Sequence, residues 1–149
     1  IEYLLLKRKL HWHGWEFEKG KIETGEKKEQ TATRELEEET GHRAIKKIKR
    51  FPYAGKYKYA KLLPDRPGIV GQTFTLFSAE VKKHKRVSLD KKEHNGHKWV
   101  DFKTALKMLK FPNQKKSLKM VNSGLNSPKT SKQGFASRSR NRLLKRGQI

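Results

Sequence analysis

Apolar residues along this chain come in short runs separated by polar, glycine-bearing and proline-bearing stretches, the pattern of a domain built from brief strands and helices. YLLLK at residues 3–7 predicts a strand, and residues 14–25 a loop. Residues 26–40 contain neither Gly nor Pro and are mostly good helix formers, so they predict a helix that Gly41 closes as a left-handed cap. That helix has almost no apolar face beyond Ala32 and Leu36. Residues 44–51 and 55–61 read as two strands, a PDRPG turn follows at 64–68, and residues 69–81 make a longer strand with partial period-2 alternation. Residues 97–100 give a last short strand. Phe102, Ala105, Leu106 and Leu109 then recur at helical spacing, and Pro112 opens a second helix expected to stop at Asn122, ahead of Gly124. From residue 126 on, Ser, Lys and Arg occur without sustained periodicity. The expected organisation is therefore one α/β domain over residues 1–125 and a basic, disordered tail over 126–149.

Charge sharpens this picture. The chain carries +22, with 33% hydrophobic and 35% charged residues, so its core is lean. After Asp101 there is no acid, while Lys and Arg number thirteen. Residues 1–101 hold the other 24 Lys and Arg against all 15 acids, a net +9, and nine of those acids lie between Glu16 and Glu39. An acidic element in a positive protein suits a polyanionic substrate, and the basic C-terminal third is a candidate RNA-binding segment or a solvated end. Zero cysteines exclude disulfides and thiolate metal sites, which agrees with a cytoplasmic location. No apolar run approaches the ~20 residues of a membrane helix.

The acids of residues 26–40 are arranged rather than scattered. At about 100° per residue, Glu35, Glu38 and Glu39 fall within an arc of about 100° on one helix face. Like charges so spaced repel, which calls for something positive among them. Oxygen ligands without Cys or a nearby His pair suit a hard cation, Mg²⁺ or alternatively Mn²⁺, of the kind that joins carboxylates to substrate phosphates. Arg34 stands beside this face and can grip a carboxylate in a two-pronged bond. The competing reading is a solvated face laced by ion pairs such as Arg34 with Glu38.

Residues 20–41, GKIETGEKKEQTATRELEEETG, fit the pattern G-x₅-E-x₇-R-E-U-x-E-E-x-G, U being aliphatic, through Gly20, Glu26, Arg34, Glu35, Leu36, Glu38, Glu39 and Gly41. Seven specified residues at fixed spacing arise by chance on the order of 10⁻⁸ per register. The stretch resembles the signature of the Nudix hydrolases, with His42 in place of the aliphatic residue that closes it. Upstream, GWEFEKG resembles the approach to that signature in the diadenosine tetraphosphatase group, with Glu18 where proline is usual. The resemblance implies an α/β/α sandwich with a mixed β-sheet between helices, and metal-dependent hydrolysis of a phosphoric anhydride bond. It implies Glu35, Glu38 and Glu39 as metal ligands, joined by the carbonyl of Lys19, with Arg34 in the catalytic set. In KKEHNGHKWV (91–100), Glu93 is similar in position to a further glutamate that faces the metals, and either Glu35 or Glu93 could take the proton of the attacking water. Domains of that kind carry a strand ahead of the one at residues 3–7, so the chain is expected to lack its N-terminal strand.

Substrate class follows from residues 55–61, GKYKYAK. On a strand Tyr57 and Tyr59 share one face and Lys56 and Lys58 the other. Tyr57 is the candidate base platform, Tyr59 and Trp99 are expected in the core, and Lys19 and Lys56 are candidate phosphate contacts. Gly71-Gln72 resembles a pair found in RNA pyrophosphohydrolases and dinucleoside polyphosphatases. The expected activity is hydrolysis of a nucleoside polyphosphate, foremost a dinucleoside tetraphosphate. Removal of pyrophosphate from RNA 5′ ends, sanitation of damaged nucleoside triphosphates, and a non-catalytic RNA- or ribosome-associated scaffold are the alternatives.

Overall fold

Leu4, Leu5 and Leu6 make β1 (Tyr3–Arg8) the central strand, because a run that is apolar on both faces must be covered on both. In the computed structural model, which describes residues 1–82 and 86–127, β1 pairs antiparallel with β2 (Gly14–Glu16) and with β5 (His94–Val100), in the order β2-β1-β5. Tyr3 and Leu5 point to one side, where they form a core with Ala105, Leu109 and Leu118. Those three come from α2 (Phe102–Met108), its C-cap Leu109, and α3 (Pro112–Asn126). Leu5, Leu109 and Leu118 are almost fully buried, each contributing about 1.5–3 kcal/mol relative to exposure. Leu4, Leu6 and Arg8 point to the other side. Register places Trp99 beside Leu4, Glu16 beside Leu6 and His94 beside Arg8, so these cross-strand partners share that second face.

α1 (Lys28–Thr40) lies on the side of this second face, where Glu39 Oε2 comes within 3.8 Å of His94 Nδ1. Its start is fixed by the Lys27 N–H, which donates to Gln30 Oε1 at 2.8 Å, and its end by Gly41 at φ 68°, whose N–H donates to the Glu37 carbonyl. Beyond Gly41, the ring of His42 is 1% exposed and stands edge-on to Trp99 with centroids 5.9 Å apart. A histidine thus fills the packing position where an aliphatic residue was expected. Helices on both faces of the sheet make the α/β sandwich that the sequence implies. Among the described residues the parallel component of the sheet is a single bridge, Trp15 with Leu109.

A separate hairpin, β3 (Lys49–Lys58) with β4 (Gly71–Ser78), corrects the expectation of two strands at 44–51 and 55–61. Pro52 lacks an N–H, yet it sits where the register shifts between Arg50 and Ala54, so the strand bulges there and continues. Ala44 forms only an isolated bridge with Val81, and the long strand is Gly71–Ser78 rather than 69–81. α3 also runs past Asn122 to Asn126. Gly124 does not stop it, because the missing side chain admits the ring of Phe51, to which an added Cβ would come within 3.0 Å. The tail expected from 126 lies outside the described residues from 128 onward. No described helix is long and apolar enough to cross a membrane.

Candidate active site

The site grows from the polar end of the face that β1 turns toward α1. Arg8 is 7% exposed and Glu16 is fully buried, and the Arg8 Nη1 donates to Glu16 Oε1 at 3.0 Å and to Glu93 Oε2 at 2.7 Å. Glu16 also meets Lys19 Nζ at 2.5 Å and His94 Nε2 at 3.1 Å. Burial alone would raise the Glu16 carboxyl, but the bond from His94 and the positive charges of Lys19 and Arg8 overcome it and hold the group at about 2. This buried network fixes the loop that follows β2 and orients Glu93 by a charge-assisted bond.

Above it lie the carboxylates. Arg34 anchors the loop to α1: its Nε and Nη2 bond to Glu26 at 2.9 and 3.0 Å, Nη2 also donates to the Lys21 carbonyl at 3.0 Å, and Nη1 reaches Glu35 and Glu38 at 2.9 Å each. The bonds from Arg34 and Thr31 lower Glu26 to about 2. Gly20 is pressed against Glu35, so closely that a Cβ there would lie inside that side chain and within 2.7 Å of its Oε1. Glu18, Glu35 and Glu39 converge, each offering an oxygen within 4.8 Å of the other two. Burial, reinforced by the Glu18, Glu93 and Glu35 charges and opposed by His94, pushes Glu39 up to about 8. Burial and the charges of Glu35 and Glu16 likewise push Glu18 up to about 7, against Arg34 and Lys19.

A hard divalent cation fits this arrangement. Glu18 Oε1 and Glu39 Oε2 are shut off from solvent with no hydrogen-bond partner, and the guanidinium at the cluster, that of Arg34, is bonded to Glu35 at 2.9 Å and leaves those two oxygens for such an ion. Glu35 and Glu39 are therefore together, as expected. Glu38 is on the same helix face but apart from them, 60% exposed with its Oε2 on Arg34. Lys19 lies in the loop between Glu18 and Gly20, its ammonium turned to Glu16. Glu93 stands at the rim, 29% exposed and tied to Arg8. Tyr57 is half-buried, its hydroxyl donating to Gln72 Oε1 at 2.7 Å and its ring edge-on to Tyr59 at 6.1 Å. Lys56 is exposed on the opposite face of β3, so the structure does not bring it together with Tyr57.

Sequence reasoning missed Arg8, Glu16, Glu18 and His94 as site residues. Arg8 could have been found, since it follows Leu4 and Leu6 at period 2 on one face of β1, whereas Glu16 joins that face only through the pairing of β2 with β1. His94 and Glu18 gave no periodic signal.

A NUDIX domain family model matches residues 2–121 of this chain. The chain is 34% identical over 117 residues to an octanoyltransferase of Myxococcus xanthus, covering 78% of itself but only 31% of that protein. It is 30% identical over 119 residues to the asymmetrical bis(5'-nucleosyl)-tetraphosphatase of Rattus norvegicus, covering 79% of itself and 76% of the relative. The chain thus spans less than a third of the first of these relatives and about three quarters of the second. In fold it is similar to a Caenorhabditis elegans Ap4A hydrolase binary complex, with a TM-score of 0.64, 22% identity and coverage of 83% of this chain and 85% of that one. The glutamate-bearing helix, the loop pinned to it and the family match over residues 2–121 agree: the chain belongs to the NUDIX family.

Proposed function

We propose that the protein cleaves a nucleoside polyphosphate, specifically a dinucleoside tetraphosphate, by water attack on phosphorus with Mg²⁺ or Mn²⁺ as cofactor. The observation that carries this reading is the convergence of carboxylate oxygens from α1 and its loop, two of them buried without partners. Glu35 and Glu39 would hold the ion with the Lys19 carbonyl, and Glu38 joins by releasing Arg34. When bound, the ion supplies neutralisation of phosphate charge and a lowered pKa for a coordinated water. Arg34 keeps Glu35 and the loop in register, which is the positioning part of phosphoryl transfer. Glu93 accepts the water proton: Arg8 orients it through Oε2, whereas Glu35 is engaged by both Arg34 and the Lys21 N–H. Tyr57, locked by Gln72, offers its ring to a base, a contact worth about 1–3 kcal/mol. The resemblance of GWEFEKG to the tetraphosphatase group and the 30% identity to the rat tetraphosphatase support the choice of substrate.

The test is a panel of diadenosine tetraphosphate, triphosphorylated RNA and nucleoside triphosphates, each with Mg²⁺ and with EDTA. The tetraphosphate should turn over fastest, EDTA should stop it, and Glu39→Gln should abolish it while leaving the circular dichroism spectrum unchanged. Near-full turnover by Glu39→Gln removes the metal-site reading, and a preference for RNA or triphosphates reassigns the substrate.

A further inference from the structure

Glu18 has no structural occupation that accounts for it. Among the described residues it makes no ion pair and no side-chain hydrogen bond, and its Oε1 is closed off from water. A carboxyl group in that condition lowers stability unless something outside the chain compensates. It is also unable to swing away. On its N-terminal side Glu16 is fixed by Arg8 and His94, on its C-terminal side Lys19 is bonded back to Glu16, and Gly20 is wedged against Glu35. The segment from 16 to 20 is therefore held at both ends with the Glu18 carboxyl aimed at Glu35 and Glu39, inside the 4.8 Å group.

We propose that Glu18 is a direct ligand of the divalent cation, so that Glu18, Glu35 and Glu39 hold the ion before nucleotide arrives, while Glu38 is still bonded to Arg34. This rests on the metal-dependent reading above. Mg²⁺ in phosphoryl-transfer sites is usually bound by one or two carboxylates and completed by substrate phosphates and water. A third carboxylate replaces one of those outside ligands and moves part of the affinity from the substrate to the protein. The geometry permits it: at metal–oxygen distances of about 2.1 Å, opposite ligands of an octahedral ion are about 4.2 Å apart and adjacent ones about 3.0 Å, so oxygens up to 4.8 Å apart draw together on binding by about half an ångström for an opposite pair and by up to about 1.8 Å for adjacent ones. Repulsion among three carboxylates accounts for that slack, and the cation removes it. Glu18 stands where the tetraphosphatase group that GWEFEKG resembles carries proline, which has no side-chain oxygen, so the third ligand distinguishes this chain from that pattern.

Titration of the full chain with Mn²⁺ in the absence of nucleotide, followed by the loss of the free-ion electron paramagnetic resonance signal, tests this. The Mn²⁺ Kd should rise at least tenfold in Glu18→Gln and in Glu18→Pro. The Mg²⁺-induced rise in melting temperature should shrink in both, while without metal Glu18→Gln should melt no lower than the parent. Two variants guard against one failing to fold. A Kd within twofold of the parent in either folded variant, while Glu39→Gln no longer binds, overturns the role of Glu18 and leaves the metal site standing. Unchanged Mn²⁺ binding in Glu39→Gln as well removes the proposed function itself.

Discussion

Replacing Gly20 with alanine adds one methyl group at the contact between loop and α1, and the outcome should be far larger than one methyl suggests. The Cβ would overlap Cγ and Cδ of Glu35 and stand 2.7 Å from its Oε1, against the 3.4 Å or more of ordinary van der Waals contact. Glu35 cannot simply rotate away, because Arg34 Nη1 and the Lys21 N–H hold its Oε1 at 2.9 and 3.1 Å. The loop must lift instead, carrying Lys21, whose carbonyl bonds to Arg34, and Glu18. A displacement of about 1 Å in groups that position a phosphoryl-transfer site costs about 10²-fold in rate. The assay is kcat/KM for diadenosine tetraphosphate at saturating Mg²⁺, with the melting temperature measured alongside. Gly20→Ala should lose about 10²-fold in kcat/KM with a melting temperature close to that of the parent, since little apolar surface is involved. Activity within threefold of the parent would show that loop and helix are not rigidly coupled, and the positioning argument would go with it.

Other outcomes follow from single contacts. Leu118→Ala opens a cavity under β1 and should cost about 2–5 kcal/mol, read as a lower urea midpoint at constant m. The Glu16 carboxyl is held at about 2, below its ordinary 4.5, so its contribution is complete above pH 4.5 and lost as pH falls toward 2. Melting temperature against pH should therefore drop across that window in the parent and more shallowly in Glu16→Gln; parallel curves would mean that Glu16 is not charged in the fold. Tyr57→Ala should raise KM for the tetraphosphate about tenfold with kcat little changed, and an unchanged KM would place the base elsewhere.

Much of the site was legible because helical spacing is a one-dimensional fact. Glu35 and Glu39 are one turn apart on a single helix, and residues so placed meet whatever else the chain does. Glu38 shows the limit of that logic: its angle on the helix is right, but Arg34 at i−4 claims its oxygen, a competition that helical angle alone does not resolve. Glu18 and His94 come from segments distant in sequence and converge only through the register of β2 and β5 on β1. The fold was read well where period and caps agreed, as at α1, and misread at Pro52 and Gly124. There a local breaker was overruled by neighbours, a bulge in one case and the ring of Phe51 in the other.

The scant apolar face of α1 carries a further consequence. A segment whose fully buried residues are two threonines, and whose ties are chiefly ionic, owes its order to counter-charge rather than to expelled water. Its amides should be among the earliest of the helical amides to exchange with deuterium in a metal-depleted sample, well before those of α3, and should slow when Mg²⁺ is restored. Adding or withdrawing the cofactor would then act as a latch on one foldon, and proteolytic nicking near residues 21–27 would report whether that latch is closed.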